Sequence, residues 1–213
     1  MEEKHGFVVY ECIDPKCRFR FSIKQNERRP ETCPACKGII RLVISAYDRH
    51  TVQKTNGDPG RPLVVLLDNI RSAWNVGSIF RTADGAGVKQ ILLVGVTPLP
   101  GHAGVCKTGL GAEKAVNWIA TRNGVEAAKK LREEGYHMIA LEGGERAISI
   151  FDFHPPAIKS LALVVGNEVS GVDPGILDLC DEVVYIPMSG IKGSLNVAVA
   201  FGIAVYQLRY RGN

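Results

Sequence analysis

The sequence predicts an α/β protein: a mostly parallel sheet flanked by helices, preceded by a small β segment built around cysteines. Three observations carry this. Five continuous apolar runs, "LVVLL" (63–67), "QILLVG" (90–95), "HMIALEG" (137–143), "LALVVG" (161–166) and "EVVYIP" (182–187), read as strands buried on both faces. Helical stretches near 72–86, 112–118, 124–134, 174–180 and 194–209 lie between and after them, and such alternation argues for parallel strands covered by helices. Four of the six cysteines fall within the first 36 residues, apart from every one of these runs.

Taken in chain order, residues 1–46 hold three short β segments, "FVVYEC", "FRFSIK" and "IIRLVIS", around Cys12, Cys17, Cys33 and Cys36. The spacing is Cys-x4-Cys, fifteen residues, then Cys-x2-Cys. Four thiolates at two close-spaced turns suit a tetrahedral structural zinc, which stabilises a piece too small for a core of its own. Pro34 and Gly38 bend the second turn so that amides point toward sulfur. The rival is a pair of disulfides, favoured in secreted proteins. The segment resembles a zinc ribbon with a wider first turn than usual. Its basic residues, among them Lys16, Arg18, Arg20, Lys24 and Arg41, are interleaved with Phe19 and Phe21. The cations suit nucleic-acid phosphates; the two phenylalanines are expected in the ribbon's small core.

Residues 47–61 are polar and carry Asn56-Gly57, Pro59 and Gly60, the composition of a linker. The α/β domain is expected over 62–213. Within it, "NVGSIFRTADGAG" (75–87) predicts a helix capped by Asn75, with Val76, Ile79, Phe80 and Ala83 on one apolar face. The other face carries Gly77, Ser78, Arg81 and Gly85, leaving one arginine over nearly bare backbone. Gly135 is a good stop for the helix at 124–134. The helix near 194–209 is apolar almost all round, so it needs either a large intrachain core or a second chain against it. Ser194 is well placed to cap it.

A chain of 213 residues, 46% of them apolar, suits one good-sized domain with a small one beside it. No run is long enough to span a bilayer and "MEEKHGF" is not a signal peptide, so a cytoplasmic protein is expected. The net charge of +4 is a slight pointer to an anionic partner. Dinucleotide and P-loop fingerprints and H-E-x-x-H are missing from the sequence. Cys180 sits among apolar residues, which disfavours a cysteine nucleophile. The polar strand ends, "DNIRSAWN", "EGGE", "GNEVSG" and "PMSGIKGSLN", fall where parallel sheets bind ligands.

Three segments together, "NVGSIFRTADGAG", "LVVGNEVSGV" (163–172) and "IPMSGIKGSLNVAVAFGIAV" (186–205), resemble the three ordered motifs of the SpoU/TrmH RNA 2'-O-ribose methyltransferases of the SPOUT class. The resemblance covers about residues 62–213. It implies a C-terminal trefoil knot, S-adenosylmethionine as cofactor, ribosomal or transfer RNA as substrate, and a homodimer with the active site at the subunit interface. By resemblance Arg81 is the catalytic arginine, as base or as electrostatic clamp on phosphate and ribose, with Asn75 its partner. Glu168 either fixes the strand-end loop or orients these, or accepts backbone N–H bonds at the start of the following helix; Ser194 and Asn196 match the third motif. Leu141, Glu142, Gly166, Ile186, Met188 and Leu195 are assigned to the cofactor. A non-catalytic RNA-binding or ribosome-assembly protein that kept the fold is the alternative.

Overall fold

The computed structural model describes residues 6–47, 60–156 and 160–210, with no side-chain description for residues 46 and 47. The chain divides into two compact units, Met1–Asn56 and Gly57–Asn213. The linker expected over 47–61 falls largely outside the described residues.

In the first unit, β1 (Phe7–Cys12), β2 (Arg20–Lys24) and β3 (Ile40–Tyr47) form an antiparallel sheet in the order β2-β1-β3. One face buries Val8, Tyr10, Cys12 and Ile40 with Cys33, and Phe21 and Ile23 pack partly against them. Phe19 departs from expectation. It is 42% exposed and touches only the edge of this cluster through Phe21, at 5.8 Å between ring centres. It precedes β2, where the sheet offers no wall on its outer side.

The second unit holds β4 (Leu63–Asp68), α1 (Ala73–Gly85), β5 (Gln90–Val94), α2 (Ala103–Gly109), α3 (Ala112–Ala115), β6 (Asn117–Thr121), α4 (Gly124–Glu133), β7 (His137–Leu141), β8 (Ile148–Ser149), β9 (Leu161–Val165), α5 (Pro174–Leu177), β10 (Glu182–Tyr185) and α6 (Val197–Tyr210). The seven strands pair in parallel, in the order β6-β5-β4-β9-β7-β10-β8. Late strands are therefore inserted between early ones: β9 between β4 and β7, and β10 between β7 and β8.

Successive residues of a strand point to opposite faces, and the core divides accordingly. Leu63, Val65 and Leu67 of β4 join Val76, Ile79 and Phe80 of α1 and Phe201, Val205 and Leu208 of α6 on one face. Val64 and Leu66 join Ala128 and Leu131 of α4 and Ile176 of α5 on the other. At this end of the fold Arg209, nearly buried, donates to the carbonyls of Ala86, Gly87 and Arg61 at 2.7–2.9 Å, tying α6 to the start of the unit.

Several boundaries differ from the sequence reading. The helix expected at 112–118 is a single turn, after which Val116 turns extended and Asn117–Thr121 becomes the edge strand β6. Four of its five residues are exposed, so the apolar pattern of a buried strand was never written there. The α2 helix and the short β8 lie in stretches with little periodicity, and α5 stops at Leu177. Ser72, and not Asn75, caps α1, accepting from the Asn75 amide at 3.3 Å. Asn196, and not Ser194, caps α6, accepting from the amides of Ala198 and Val199 at 2.9 and 3.4 Å. Gly135 behaves as expected, left-handed at φ 83° just after α4.

Candidate functional site

The carboxyl ends of β7, β9 and β10 and the segment leading into α6 line a cleft of about 660 Å³. All six residues assigned to a cofactor from sequence, Leu141, Glu142, Gly166, Ile186, Met188 and Leu195, line it. So do Glu168, Ser194 and Asn196.

The loop after β9 is folded on itself. The amides of Asn167 and Gly171 each donate to the other's carbonyl at 3.0 Å, and Asn167 Oδ1 accepts from the amides of Val169 and Ser170. A Cβ on Gly166 would run into the backbone of Gly171 and Val172, so this close approach requires glycine. Glu142 closes the base of the loop by accepting from the Val172 amide at 3.0 Å. On the cleft wall Gly143 and Gly193 have open space in front of them: a Cβ on either would meet no atom within 4 Å.

Glu168 projects from this loop onto the entrance of α1. Its carboxylate accepts from the Arg71 amide at 2.9 Å, the Ser72 amide at 3.2 Å and Asn75 Nδ2 at 2.9 Å. Partial burial pushes its pKa up, but the Arg71 amide, the Asn75 side chain and further amides outweigh that and hold the carboxyl below its usual value. Asn196 Nδ2 in turn donates to Asn75 Oδ1 at 3.1 Å. Glu168, Asn75 and Asn196, one from each of the three motif segments, thus form one hydrogen-bonded chain at the cleft edge. Glu168 thus accepts two backbone N–H groups and bonds the Asn75 side chain. The amides belong to the loop preceding α1, not to the helix that follows Glu168 in sequence.

Arg81 stands on the exposed side of α1 and does not line the cleft. Among the described residues no hydrogen bond or ion pair to its side chain is present. Ser194 is exposed at the cleft. Gly77 is not on an open face. It is buried where α1 crosses α2, and a Cβ there would collide with Thr108 Oγ1 and the Val105 carbonyl. Sequence reasoning passed over Asn167, whose signal was its place in "GNEVSG": asparagine side chains fold tight loops by capturing amides two and three residues on. It also passed over Asn69, left-handed at φ 54°, whose carbonyl accepts from Asn167 Nδ2 at 2.6 Å. Cys180 is buried and burial pushes its thiol up to about 12, so it carries no reactive thiolate.

In the first unit, the Sγ atoms of Cys12, Cys17, Cys33 and Cys36 all lie within 4.8 Å of one another. The nearest pairs are Cys12–Cys36 at 3.5 Å and Cys17–Cys33 at 3.8 Å. Sulfurs about 2.3 Å from a common centre in a tetrahedron are about 3.8 Å apart, so the set has the size of a four-cysteine zinc site. Both turns are built alike: Arg18 (φ 46°) and Lys37 (φ 62°), each just after a cysteine, take the left-handed conformation. The Gly38 amide donates to Cys36 Sγ at 3.4 Å.

A parallel sheet whose strand-end loops enclose a glycine-walled cleft defines an α/β enzyme-type domain of the ligand-binding kind. The chain belongs to the SpoU rRNA Methylase family, whose profile matches residues 62–206. It is 31% identical over 172 residues to a 23S rRNA (guanosine-2'-O-)-methyltransferase RlmB of Burkholderia sp, across 80% of this chain and 68% of that protein. It is 34% identical over 148 residues to the 23S rRNA (guanosine(2553)-2'-O)-methyltransferase RlmP of Bacillus subtilis, across 68% of this chain and 57% of that one. Among solved structures, an AdoMet-bound rRNA methyltransferase from Sinorhizobium meliloti superposes with a TM-score of 0.66 at 28% identity, covering 70% of this chain and 56% of that one. The A. aeolicus TrmH/SpoU tRNA modifying enzyme gives 0.63 at 29% identity, covering 70% and 74%.

Proposed function

We propose that the chain methylates the ribose 2'-OH of a nucleotide in ribosomal RNA, using S-adenosylmethionine. The observation that carries this is the Glu168–Asn75–Asn196 chain at the edge of a cleft of adenosine-bearing size. The names of the relatives point to 23S rRNA in preference to transfer RNA. The cleft fits the cofactor: Leu141, Ile186, Met188 and Leu195 offer apolar walls for adenine, and the glycine backbones of 143, 166 and 193 offer amides without side chains in the way. Glu142, tied to the loop, acts by shaping this wall. When bound, S-adenosylmethionine supplies an electrophilic methyl group on a sulfonium.

The protein's own residues then place the nucleophile. The Glu168 carboxylate fixes the Asn75 amide so that its oxygen receives Asn196 and its position on α1 is set. A guanidinium stays charged in water, and Arg81 is exposed. This supports the clamp over the base: Arg81 holds a substrate phosphate by charge-assisted hydrogen bonds and stabilises the ribose oxygen as its proton passes to solvent water and it attacks the methyl carbon. Ser194, free-standing at the cleft, contacts substrate or cofactor.

The other parts of the reading are a structural zinc on the four cysteines, a ribbon whose cations contact RNA, and a homodimer. The dimer is supported by α6, which buries Phe201, Ala204, Val205 and Leu208 yet leaves Val199, Tyr206 and Tyr210 about half exposed. A monomeric mass in sedimentation removes it. The insertion of β9 and β10 between earlier strands is compatible with the trefoil knot that the resemblance implies. Among the described residues no helix is long and apolar enough to cross a membrane, and an RNA substrate puts the work in the cytoplasm. The test is transfer of labelled methyl from S-adenosylmethionine to ribosomal RNA. Arg81→Ala should lower it by about 100-fold or more with cofactor binding kept in calorimetry. Transfer at the wild-type rate overturns the assignment.

A further inference from the structure

The face of α1 that carries Arg81 also carries a large aromatic ring that none of the three motifs explains. Trp74 is 52% exposed, and Lys107 Nζ of α2 lies 4.9 Å from its ring centre. Trp74 and Arg81 are seven residues apart, two helical turns, so they share one side of α1 about 10 Å apart. The ring's position is defined from below. The Trp74 carbonyl accepts from the hydroxyls of Ser78 and Thr108, both at 2.9 Å. The glycine crossing at Gly77 lets α2 come close enough to set Lys107 over the indole. Trp74 is also chained to the cleft, because the next residue is Asn75, held by Glu168 and Asn196. Three residues before it, exposed Arg71 donates its amide to the same Glu168.

An apolar anchor without charge would suit a protein surface. Here Lys107 lies over the indole and exposed Arg71 and Arg81 stand three residues before and seven after it in the chain, and that pattern fits a polyanion carrying flat rings. We propose that Trp74 is the stacking platform for an unpaired base of the RNA substrate beside the target ribose, with Lys107 and Arg71 on the flanking phosphates. This rests on the reading of the chain as an RNA methyltransferase. It adds what that reading lacks, a contact that needs the target nucleotide or its neighbour outside a duplex. Lys107 covers one ring face, and the base takes the other.

The chain has two tryptophans, so a Trp118→Phe background leaves Trp74 as the only indole. Short single-stranded RNA of mixed sequence should quench its fluorescence, and an abasic phosphodiester strand of equal length should not. Trp74→Ala should weaken binding of the mixed-sequence RNA by at least about five-fold and raise KM for ribosomal RNA more than it lowers kcat. Trp74→Phe should keep most of both, while Trp74→Leu, which keeps bulk without a flat ring, should behave like alanine. Lys107→Ala should weaken both strands and flatten the salt dependence.

Equal quenching by the abasic strand overturns the platform. So does a wild-type KM in Trp74→Leu, or an indole shielded from acrylamide by a second copy in the free protein. The enzyme reading fails separately: a wild-type protein that binds S-adenosylmethionine but transfers no methyl to ribosomal RNA ends that reading. The fluorescence comparison still decides the platform in that case.

Discussion

On the two faces of the seven-stranded sheet, dozens of apolar side chains are shut away, Phe80, Phe201, Leu66 and Met138 completely. In the three-stranded ribbon the corresponding set is Val8, Tyr10 and Ile40 with two cysteines, and Ile13, Phe19, Ile39 and Leu42 remain outside. One unit holds its shape by burial, at about 1.5–3 kcal/mol for each large side chain. The other has too few such side chains, and the zinc proposed on its four converging cysteines would take their place. The difference teaches where each unit resists change: the sheet unit on its two packed faces and in the strand-end loops that build the cleft, the ribbon chiefly at its two cysteine turns.

The sharpest way to break that comparison is chelation. Stripping metal from native protein should abolish the ribbon's amide-exchange protection outright, since structural zinc contributes on the order of 10 kcal/mol. The melting of the sheet unit should move little. Native protein without zinc by elemental analysis, and with Cys12 to Cys36 in disulfides, contradicts the proposal. The converse perturbation is Phe201→Ala, which should cost the sheet unit about 3–5 kcal/mol in a denaturant titration and leave the zinc content unchanged.

The smallest effect tests a polar contact within the sheet unit. Glu168 has a lowered pKa in the folded chain, so its stabilisation is present above the unfolded carboxyl value and lost as pH falls through the lowered one. Glu168→Gln should remove about 1 kcal/mol at neutral pH after allowance for solvent screening. It should also flatten the acid limb of stability against pH. An unchanged acid limb would place the titration elsewhere.

How much of this was legible in the sequence follows from the same contrast. The five buried strands announce themselves because burial on both faces writes continuous apolar runs. Edge strand β6 does not, because Trp118 and Ile119 face out and nothing imposes a pattern on them. Motif residues Glu168, Asn75 and Asn196 were legible as candidates, and their mutual bonds were not. Those bonds join positions about a hundred residues apart, and only the strand order brings them together. Helix caps misled for a local reason. Ser72 and Asn75 are both good cap types, and the choice fell to Ser72 because Glu168 takes Asn75 away. Gly77 read as part of the bare face around Arg81 and is clearance for a neighbouring helix.

The placing of β9 between β4 and β7 governs the order in which this protein comes into being. On the ribosome, β4 and then β7 emerge before β9, each lacking the strand that will lie beside it in the centre of the sheet. At about 5–20 residues per second, the hundred or so residues from β4 to β9 take roughly 5–20 seconds to make. For that interval the inner edge of β4 waits open, that of β7 only for the last twenty or so residues, and β9 closes both while β10 and α6 are still to come.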